Sequence, residues 1–292
     1  MRQAGFWVGF YVTLAVIFGV GLFFVEGADK AGEFAAGYLT EYSLSVDNLF
    51  IFYIIMARFA VPRMFQHKVL LIGILLALVM RGMFIAVGAA ALERFSWLFY
   101  VFGAFLIYTA INLLRGHGEE EFKENLLLRW VRRVFPTTDG YVDAKITVKV
   151  DGRRMVTPML IVMVAIGTTD LLFALDSIPA IFGLTQDAFI VFTANAFALM
   201  GLRQLYFLLG GLLRRLVYLS YGLSFILAFI GVKLVLEALH SNGVHWAPEV
   251  PIWISLSVIG GTMTITTVAS LIKARRDRKA GSATPPAKVS QG

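Results

Sequence analysis

Two acidic motifs of the same design stand inside apolar stretches of this sequence. Each consists of a threonine, an acid, a gap of five residues, a second acid and a small polar residue. Their members are Thr40, Glu41, Asp47 and Asn48 in the first copy and Thr169, Asp170, Asp176 and Ser177 in the second. Carboxylate, amide and hydroxyl oxygens are the ligands that Mn²⁺, Mg²⁺ and Ca²⁺ prefer. We therefore take the four acids, Asn48 and Ser177 as candidate metal ligands, and the two threonines as accessory ones.

The rest of the composition disfavours softer metals and other ligand classes. The chain has no cysteine, and its four histidines lie outside the apolar runs, so zinc and copper sites are not expected. No motif indicates a permanently bound cofactor. The net charge of +7 follows from basic loops and a basic tail, and it needs no nucleic acid to explain it.

Carboxylates inside a bilayer need a partner, because each costs roughly 2.5 to 3.5 kcal/mol to insert. Arg81, Arg203 and Lys233 are the basic residues within the predicted membrane spans and could supply that charge pairing. For the two arginines we predict a structural role, since a cation site gains nothing from a fixed positive ligand. Buried salt bridges that only fix helix packing are the competing interpretation of both motifs.

Helix geometry limits how one motif can bind an ion. At 100° per residue, the side chains of Glu41 and Asp47 point about 120° apart, whereas Glu41 and Asn48 differ by only about 20°. Either one site takes residues from both motifs, or the helices unwind locally. Pro179 favours unwinding and a helix break, because it leaves the carbonyl of Leu175 without its usual N–H partner.

The elements that must carry these motifs are membrane helices. The chain is 58% hydrophobic and 15% charged, against about 25% charged in soluble domains, which predicts an all-α polytopic membrane protein embedded in a lipid bilayer. Apolar windows long enough to span predict eight helices, at 6–25, 34–58, 67–92, 96–114, 157–182, 187–212, 217–239 and 250–272. The first window is long enough to be a transmembrane helix and is not expected to be a cleaved signal.

Charge placement orders these helices into segments. Most of the 26 Lys and Arg residues fall in alternate loops, which places both termini in the cytoplasm. We predict helices one to four in 1–114, a cytoplasmic loop with an amphipathic helix and a short hairpin at Asp151-Gly152 in 115–156, helices five to eight in 157–272, and a disordered basic tail in 273–292.

The two motif copies predict an inverted repeat. Because three crossings separate the second helix from the fifth, the copies run in opposite directions across the membrane. Arg81 and Arg203 follow them in the next helices, and Gly103, Ile107 and Ile111 match Gly222, Ile226 and Ile230 in spacing. Helices two to four and five to seven are then inverted three-helix units, an architecture typical of transporters with a midplane site.

The stretches EYSLSVDNLFIF, TDLLFALDSIPAIF, FPTTDGY and ALMGLRQLYFLL resemble the TerC family of bacterial integral membrane proteins, in particular its Alx-like branch, over about residues 30–240. The resemblance implies an inner-membrane metal-ion transporter, with manganese export foremost and an association with tellurite resistance and pH response. It implies ion handling by Glu41, Asp47 and Asn48 and by Asp170, Asp176 and Ser177. Gly167 stands where the family commonly has a further acid, which leaves the metal preference and proton coupling open.

The leading hypothesis is therefore a transporter that exports Mn²⁺ by alternating access, exchanging it for protons, rather than an enzyme. An intramembrane aspartyl protease is disfavoured, since the Gly-x-Gly-Asp and Tyr-Asp signatures are missing. The remaining alternative is a non-transporting scaffold or stress-response protein that acts through the loop 115–156. Partner proteins are not indicated by the sequence.

Overall fold

The protein is a bundle of long α-helices with one small β-hairpin. The computed structural model describes residues 2–115, 138, 140–143, 145–150, 153–209, 218–242, 244 and 247–281. The helices are α1 (Arg2–Val25), α2 (Ala28–Arg58), α3 (Arg63–Arg94), α4 (Leu98–Arg115), α5 (Pro158–Phe182), α6 (Ala188–Met200), α7 (Leu202–Leu209), α8 (Leu219–Ser241) and α9 (Ile252–Gly281). The strands are β1 (Thr147–Val150) and β2 (Arg153–Val156).

Seven helical spans within the described residues are long and apolar enough to cross a membrane, judged by length and composition. Helices α6 and α7 form one of them, Ala188–Leu208. The span that falls outside this set is α2, which is 31 residues long but carries both acids of the first motif and further charges near its start. It packs against α1, α5, α6 and α9, so its polar side chains are shielded by other helices. The predicted all-α polytopic fold is confirmed.

One predicted segment boundary differs from the structure. Helix α9 continues to Gly281, so residues 273–281 are helical here and the prediction of a disordered tail is wrong for them. The reason is that the basic run after Ile272 contains good helix formers and extends a helix already nucleated in the apolar span. The rest of the predicted tail, 282–292, and the predicted amphipathic helix in 116–137 lie outside the described residues.

The predicted hairpin after α4 is present as two paired strands, and the turn at Asp151-Gly152 lies outside the described residues. Strands β1 and β2 pair antiparallel with Val150 opposite Arg153, which leaves two residues for the turn. Tyr141, just before the hairpin, donates a hydrogen bond of 2.8 Å from its hydroxyl to the carbonyl of Phe59 at the end of α2. Burial raises the pKa of the Tyr141 phenol, so the hydroxyl keeps its proton and remains a donor at neutral pH. The hairpin segment is thus tied to the helix that carries the first motif.

Helices α4 and α8 cross in backbone contact. A Cβ atom added to Gly103 would lie 2.8 Å from the carbonyl oxygen of Gly231, and one added to Gly231 would lie 2.8 Å from that of Gly103. Only glycine allows this approach. The sequence matched Gly103 with Gly222, but Gly222 packs against Thr266 of α9 instead, so that spacing match does not mark the crossing.

Helix α2 occupies the centre of the bundle beside α5 and α6. A Cβ on Gly37 of α2 would lie 3.3 Å from Cβ of Ala194 on α6 and 3.6 Å from Cγ2 of Ile181 on α5. Helix α3 packs against α5 in turn, with Ile166 filling the space beside Gly73. This packing brings both acidic motifs into the interior. The inverted repeat itself stays a prediction.

Candidate functional site

A buried arginine on α3 joins the two acidic motifs. The Arg81 side chain donates from Nε to Oδ2 of Asp170 over 3.4 Å and from Nη2 to Oδ1 over 3.3 Å. Its Nη1 forms an ion pair with Oε1 of Glu41. These three residues are 1%, 4% and 0% exposed, respectively. The first acid of each motif therefore meets the other across one guanidinium, although they are 129 positions apart in the chain.

This arrangement carries an unbalanced charge. Two carboxylates and one guanidinium leave a formal charge of minus one in a place without access to solvent. Ionised side chains with so little solvent access are stable only when they are paired and hydrogen-bonded. Within the described residues, no group of three or more His, Asp or Glu side chains is arranged to hold a metal ion. As the structure stands, Arg81 is the cation of the cluster Glu41–Arg81–Asp170.

Further oxygen-bearing side chains continue from the cluster along α2 and α5. On α2, Ser45 and Asn48 follow Glu41 at four and seven residues, so all three lie on one face of the helix. On α5, Ser177 follows Asp170 at seven residues and lies on the same face as that acid. All five side chains are buried. The hydroxyl oxygens of Ser45 and Ser177 have no hydrogen-bond partner in the described part of the chain.

Helices α2 and α5 pack against each other, with Gly37 of α2 beside Ile181 of α5. Glu41 and Asn48 follow Gly37 at four and eleven residues, so they lie on the same face of α2 as that contact. Ser177 and Asp170 precede Ile181 at four and eleven residues and lie on the corresponding face of α5. Four of the six predicted metal ligands therefore share the interface of α2 with α5.

The second acid of each motif lies elsewhere. Asp47 and Asp176 are only partly buried, on a different helix face from the first acids. Asp176 accepts a hydrogen bond of 3.1 Å from the hydroxyl of Thr109 on α4. The structure thus separates the candidate acids into a central pair, Glu41 and Asp170, and a flanking pair, Asp47 and Asp176.

The predicted helix break at Pro179 is wrong. Helix α5 runs without interruption from Pro158 to Phe182, with Pro179 inside its last turn. The carbonyl of Leu175 lacks the N–H partner that Pro179 cannot supply, but the hydrogen-bond ladder resumes one turn later, where the N–H of Gly183 donates to the carbonyl of Pro179 over 3.0 Å. The Leu175 side chain is on an exposed face of α5, away from the cluster. Of the two geometric alternatives, the structure has the one in which residues of both motifs meet.

The two threonines predicted as accessory ligands form hydrogen bonds within their own helices. The hydroxyls of Thr40 and Thr169 donate to the carbonyls of Ala36 and Ala165 four residues back in their own helices. Such bonds are common for buried threonines and engage the hydroxyl proton.

The other two basic residues make no comparable pairing. Arg203 on α7 is partly buried, and Lys233 on α8 is 8% exposed. The described residues show no ion pair for either of them, in contrast to Arg81. Gly167 stands where the TerC family commonly has an acid. A Cβ on Gly167 would lie 2.8 Å from Cδ2 of Leu76, so this position has little room for a longer side chain.

Two cavities lie at opposite ends of the bundle. One, of about 670 Å³, is formed by the end of α2, the start of α3 and α7, and includes Tyr53, His67 and Tyr206. The other, of about 540 Å³, lies at the end of α8 and includes Lys233, with Glu237 next to it. The predicted cytoplasmic placement of both termini would put the first cavity on the inner side and the second on the outer side.

Sequence reasoning missed three polar residues of this region. Thr109 binds Asp176, and Ser45 and Asn195 are buried with unpartnered polar atoms. Ser45 could have been found from its spacing of four residues after Glu41. Nothing in the sequence near Thr109 or Asn195 indicates which helix each one faces.

Comparison with known proteins agrees with this architecture. Residues 26–278 match the Integral membrane protein TerC family. The chain belongs to the TerC family. An uncharacterized membrane protein of Mycobacterium tuberculosis H37Rv is 48% identical over 288 residues, covering 94% of this chain and 72% of the relative. An uncharacterized membrane protein of Myxococcus xanthus is 43% identical over 275 residues, covering 94% and 84%.

A third TerC family relative, from Escherichia coli K12, is provisionally named membrane-bound redox modulator Alx. It is 37% identical over 291 residues, covering 96% of this chain and 88% of the relative. No solved structure is significantly similar to the chain. Family membership and the apolar helices together show that this is an integral membrane protein.

Proposed function

We propose that the protein is an inner-membrane exporter of a hard divalent cation, Mn²⁺ foremost, that works by alternating access. The observation that supports this most is the buried cluster Glu41–Arg81–Asp170, which shares its helices with the hydroxyls of Ser45 and Ser177, both without a partner among the described residues. Ionisable groups at membrane depth mark ion or proton pathways far more often than in soluble cores. The cluster also combines residues of the two motif helices, which the inverted-repeat prediction has running in opposite directions, as expected for a midplane transport site.

In this mechanism Arg81 is the internal counter-ion of the empty site. A divalent cation that reaches Glu41 and Asp170 from the inner cavity takes over their charge, and the guanidinium withdraws. Two carboxylates and one divalent cation are formally neutral, whereas two carboxylates, the cation and Arg81 together would carry one positive charge. Binding of the ion and retreat of Arg81 are therefore linked by electrostatics.

Release to the outer side reverses this exchange. When the cation leaves, the two carboxylates must bind protons or recover Arg81, because two bare buried carboxylates repel each other. Either proton binding or the return of Arg81 closes the site after the ion has left and limits its return. The partly buried acids Asp47 and Asp176 are placed to accept the ion or a proton next, and coupling to protons follows from that role.

The alternative function is a non-transporting stress-response or redox role. It is favoured by the name of the Escherichia coli relative, which describes a redox modulator. This chain has no cysteine, so thiol–disulfide exchange cannot be its own chemistry. A scaffold that acts through the loop 115–156 predicts that deleting this loop abolishes function, while neutralising Glu41 or Asp170 leaves it intact.

A flux assay in proteoliposomes tests the transport proposal. Mn²⁺, Mg²⁺, Ca²⁺ and Zn²⁺ are compared under an imposed pH gradient for the parent, Glu41→Gln and Asp170→Asn. We expect Mn²⁺ flux in the parent and its loss in both variants, while Glu93→Gln, the same chemical change at an exposed position of α3, transports like the parent. The proposal is wrong if the parent moves none of the four cations, or if both cluster variants transport Mn²⁺ as the parent does.

A further inference from the structure

Asn195 on α6 carries a fully buried side-chain amide. The residue is 1% exposed, and neither its Oδ1 nor its Nδ2 has a partner in the described residues. Buried side-chain amides are satisfied in the great majority of proteins, and a bilayer offers no water to a group that is left over. An amide in this position is expected to bind a ligand that comes from outside the protein.

Two packing contacts fix the direction in which Asn195 points. Ala194 faces α2, where it lies beside Gly37, and Phe192 faces α3, where its ring lies 3.3 Å from the Cβ position of Gly82. At 100° per residue, Asn195 is turned 100° from Ala194 and 60° from Phe192, inside the arc between those two faces. Its side chain therefore projects into the space between α2 and α3.

The same contacts fix its height in the bundle. Gly37 is one helical turn before Glu41, and Gly82 directly follows Arg81. Helical side chains lean toward the N-terminus of their helix, so the Glu41 carboxylate covers the turn that begins at Gly37. Asn195 is one residue beyond the contact with Gly37 and three residues beyond the contact with Gly82. The amide thus lies level with the Glu41–Arg81 ion pair.

We infer that Asn195 is a binding residue of the cation site, and that its amide oxygen contacts the ion or a water bound to it. This inference rests on the proposed function. Glu41 and Asp170 already balance the charge of a divalent cation, so further ligands must be neutral oxygens if the site is to stay neutral. Hard cations take six or more oxygen ligands, and amide carbonyls are among those they accept. Helix α6 then contributes a ligand to a site whose ligands from the two motifs lie on α2 and α5.

The test compares Asn195→Leu, Asn195→Asp and Ser255→Ala. Leucine fills a similar space without polar atoms, and aspartate keeps an oxygen ligand. Ser255 on α9 is the matched control, since it is also fully buried and its hydroxyl is also unpartnered. For each variant the half-saturating Mn²⁺ concentration and the maximal flux are measured in proteoliposomes, and thermal stability is measured in detergent.

We expect Asn195→Leu to raise the half-saturating concentration by about tenfold, the scale of losing one supporting group at a metal site. Its thermal stability should equal or exceed that of the parent, because an unsatisfied polar group has been removed. Asn195→Asp should retain binding, and Ser255→Ala should behave as the parent in both measurements.

An unchanged half-saturating concentration in Asn195→Leu, in a parent that transports, overturns this inference and leaves the proposed function standing. A parent that moves no cation overturns the proposed function itself. A purely structural role for Asn195 predicts the opposite pattern, a fall in stability with unchanged affinity in the folded fraction. Should the leucine variant not fold, Asn195→Ala is measured in the same way and an unchanged concentration has the same meaning.

Discussion

Replacing Arg81 by methionine removes the charge that holds the central acids together. Methionine has a similar length and fits a buried position, so the main change is loss of the guanidinium and of its contacts with Glu41 and Asp170. Removing one partner from a buried ionic group is expected to lower the free energy of unfolding by about 3 to 5 kcal/mol, because the remaining charges stay buried without compensation. The loss of unfolding free energy should be near the upper end of this range, because two buried carboxylates remain without a positive partner.

Reversible unfolding of the purified protein in mixed micelles measures this quantity. Arg203→Met is the matched control, because Arg203 is only partly buried and has no ion pair in the described residues; we expect a change of about 1 kcal/mol or less. An apolar triple variant, with Glu41→Leu and Asp170→Leu added to Arg81→Met, should recover the stability of the parent, since apolar replacement of a buried ionic group is often neutral or stabilising.

Stabilisation of the protein by Mn²⁺ is a second measurement of the same prediction. Without Arg81 the two carboxylates form an open site of charge minus two, so Mn²⁺ should stabilise Arg81→Met more than the parent. At a hundredfold excess over its dissociation constant, a ligand adds about 2.7 kcal/mol. The reasoning is refuted if Arg81→Met unfolds like the parent. It is refuted equally if the apolar triple is as unstable as the single variant, since the cost would then not come from unpaired charge.

Two further predictions concern the frame around the cluster. Gly103→Val should lower the free energy of unfolding by about 3 kcal/mol, the upper end for overpacking, because its Cβ would lie 2.8 Å from the backbone carbonyl of Gly231, which cannot move aside, and 2.7 Å from Cγ2 of Val235; an unfolding curve like that of the parent would contradict the α4–α8 crossing. Tyr141→Phe should lose about 1 kcal/mol from the hydrogen bond to Phe59 and speed amide exchange in the hairpin, measured by mass spectrometry, while exchange in α4 stays unchanged. Equal exchange in both proteins would show that this bond does not hold the hairpin.

The helical frame could be predicted from the sequence because its signal is local. A bilayer-spanning helix needs about twenty predominantly apolar residues, and seven of the helical spans in the described residues meet this by their own length and composition, without reference to any other part of the chain. The errors arose where a local signal competes with its surroundings. Pro179 breaks helices in general, but it does little in the last turn before Phe182. The basic run after Ile272 reads as a tail in isolation, yet it continues a helix that the membrane span has already formed.

The composition of the site could be predicted only in part, because partners come from distant helices. The spacing within each motif separates Glu41 from Asp47 by about 120°, which already implies that they serve different places. Nothing local shows that Glu41 and Asp170 share Arg81, or that Asn195 lies level with them. Those relations depend on where α3 and α6 pack against α2, and that packing is set by small residues such as Gly37 and Gly82.

The energetics of the cluster argue against a purely structural role. Apolar side chains can replace a buried ion pair without loss of stability, so Glu41, Arg81 and Asp170 are not needed merely to hold three helices together. The hydroxyls of Ser45 and Ser177 and the amide of Asn195 add a further cost, since each is buried with no hydrogen bond to any part of the chain that the structure describes. A packing device would be more stable without these polar groups. The proposed transport site accounts for them, because a site that alternately holds an ion and closes without it needs oxygen groups and an internal cation such as Arg81.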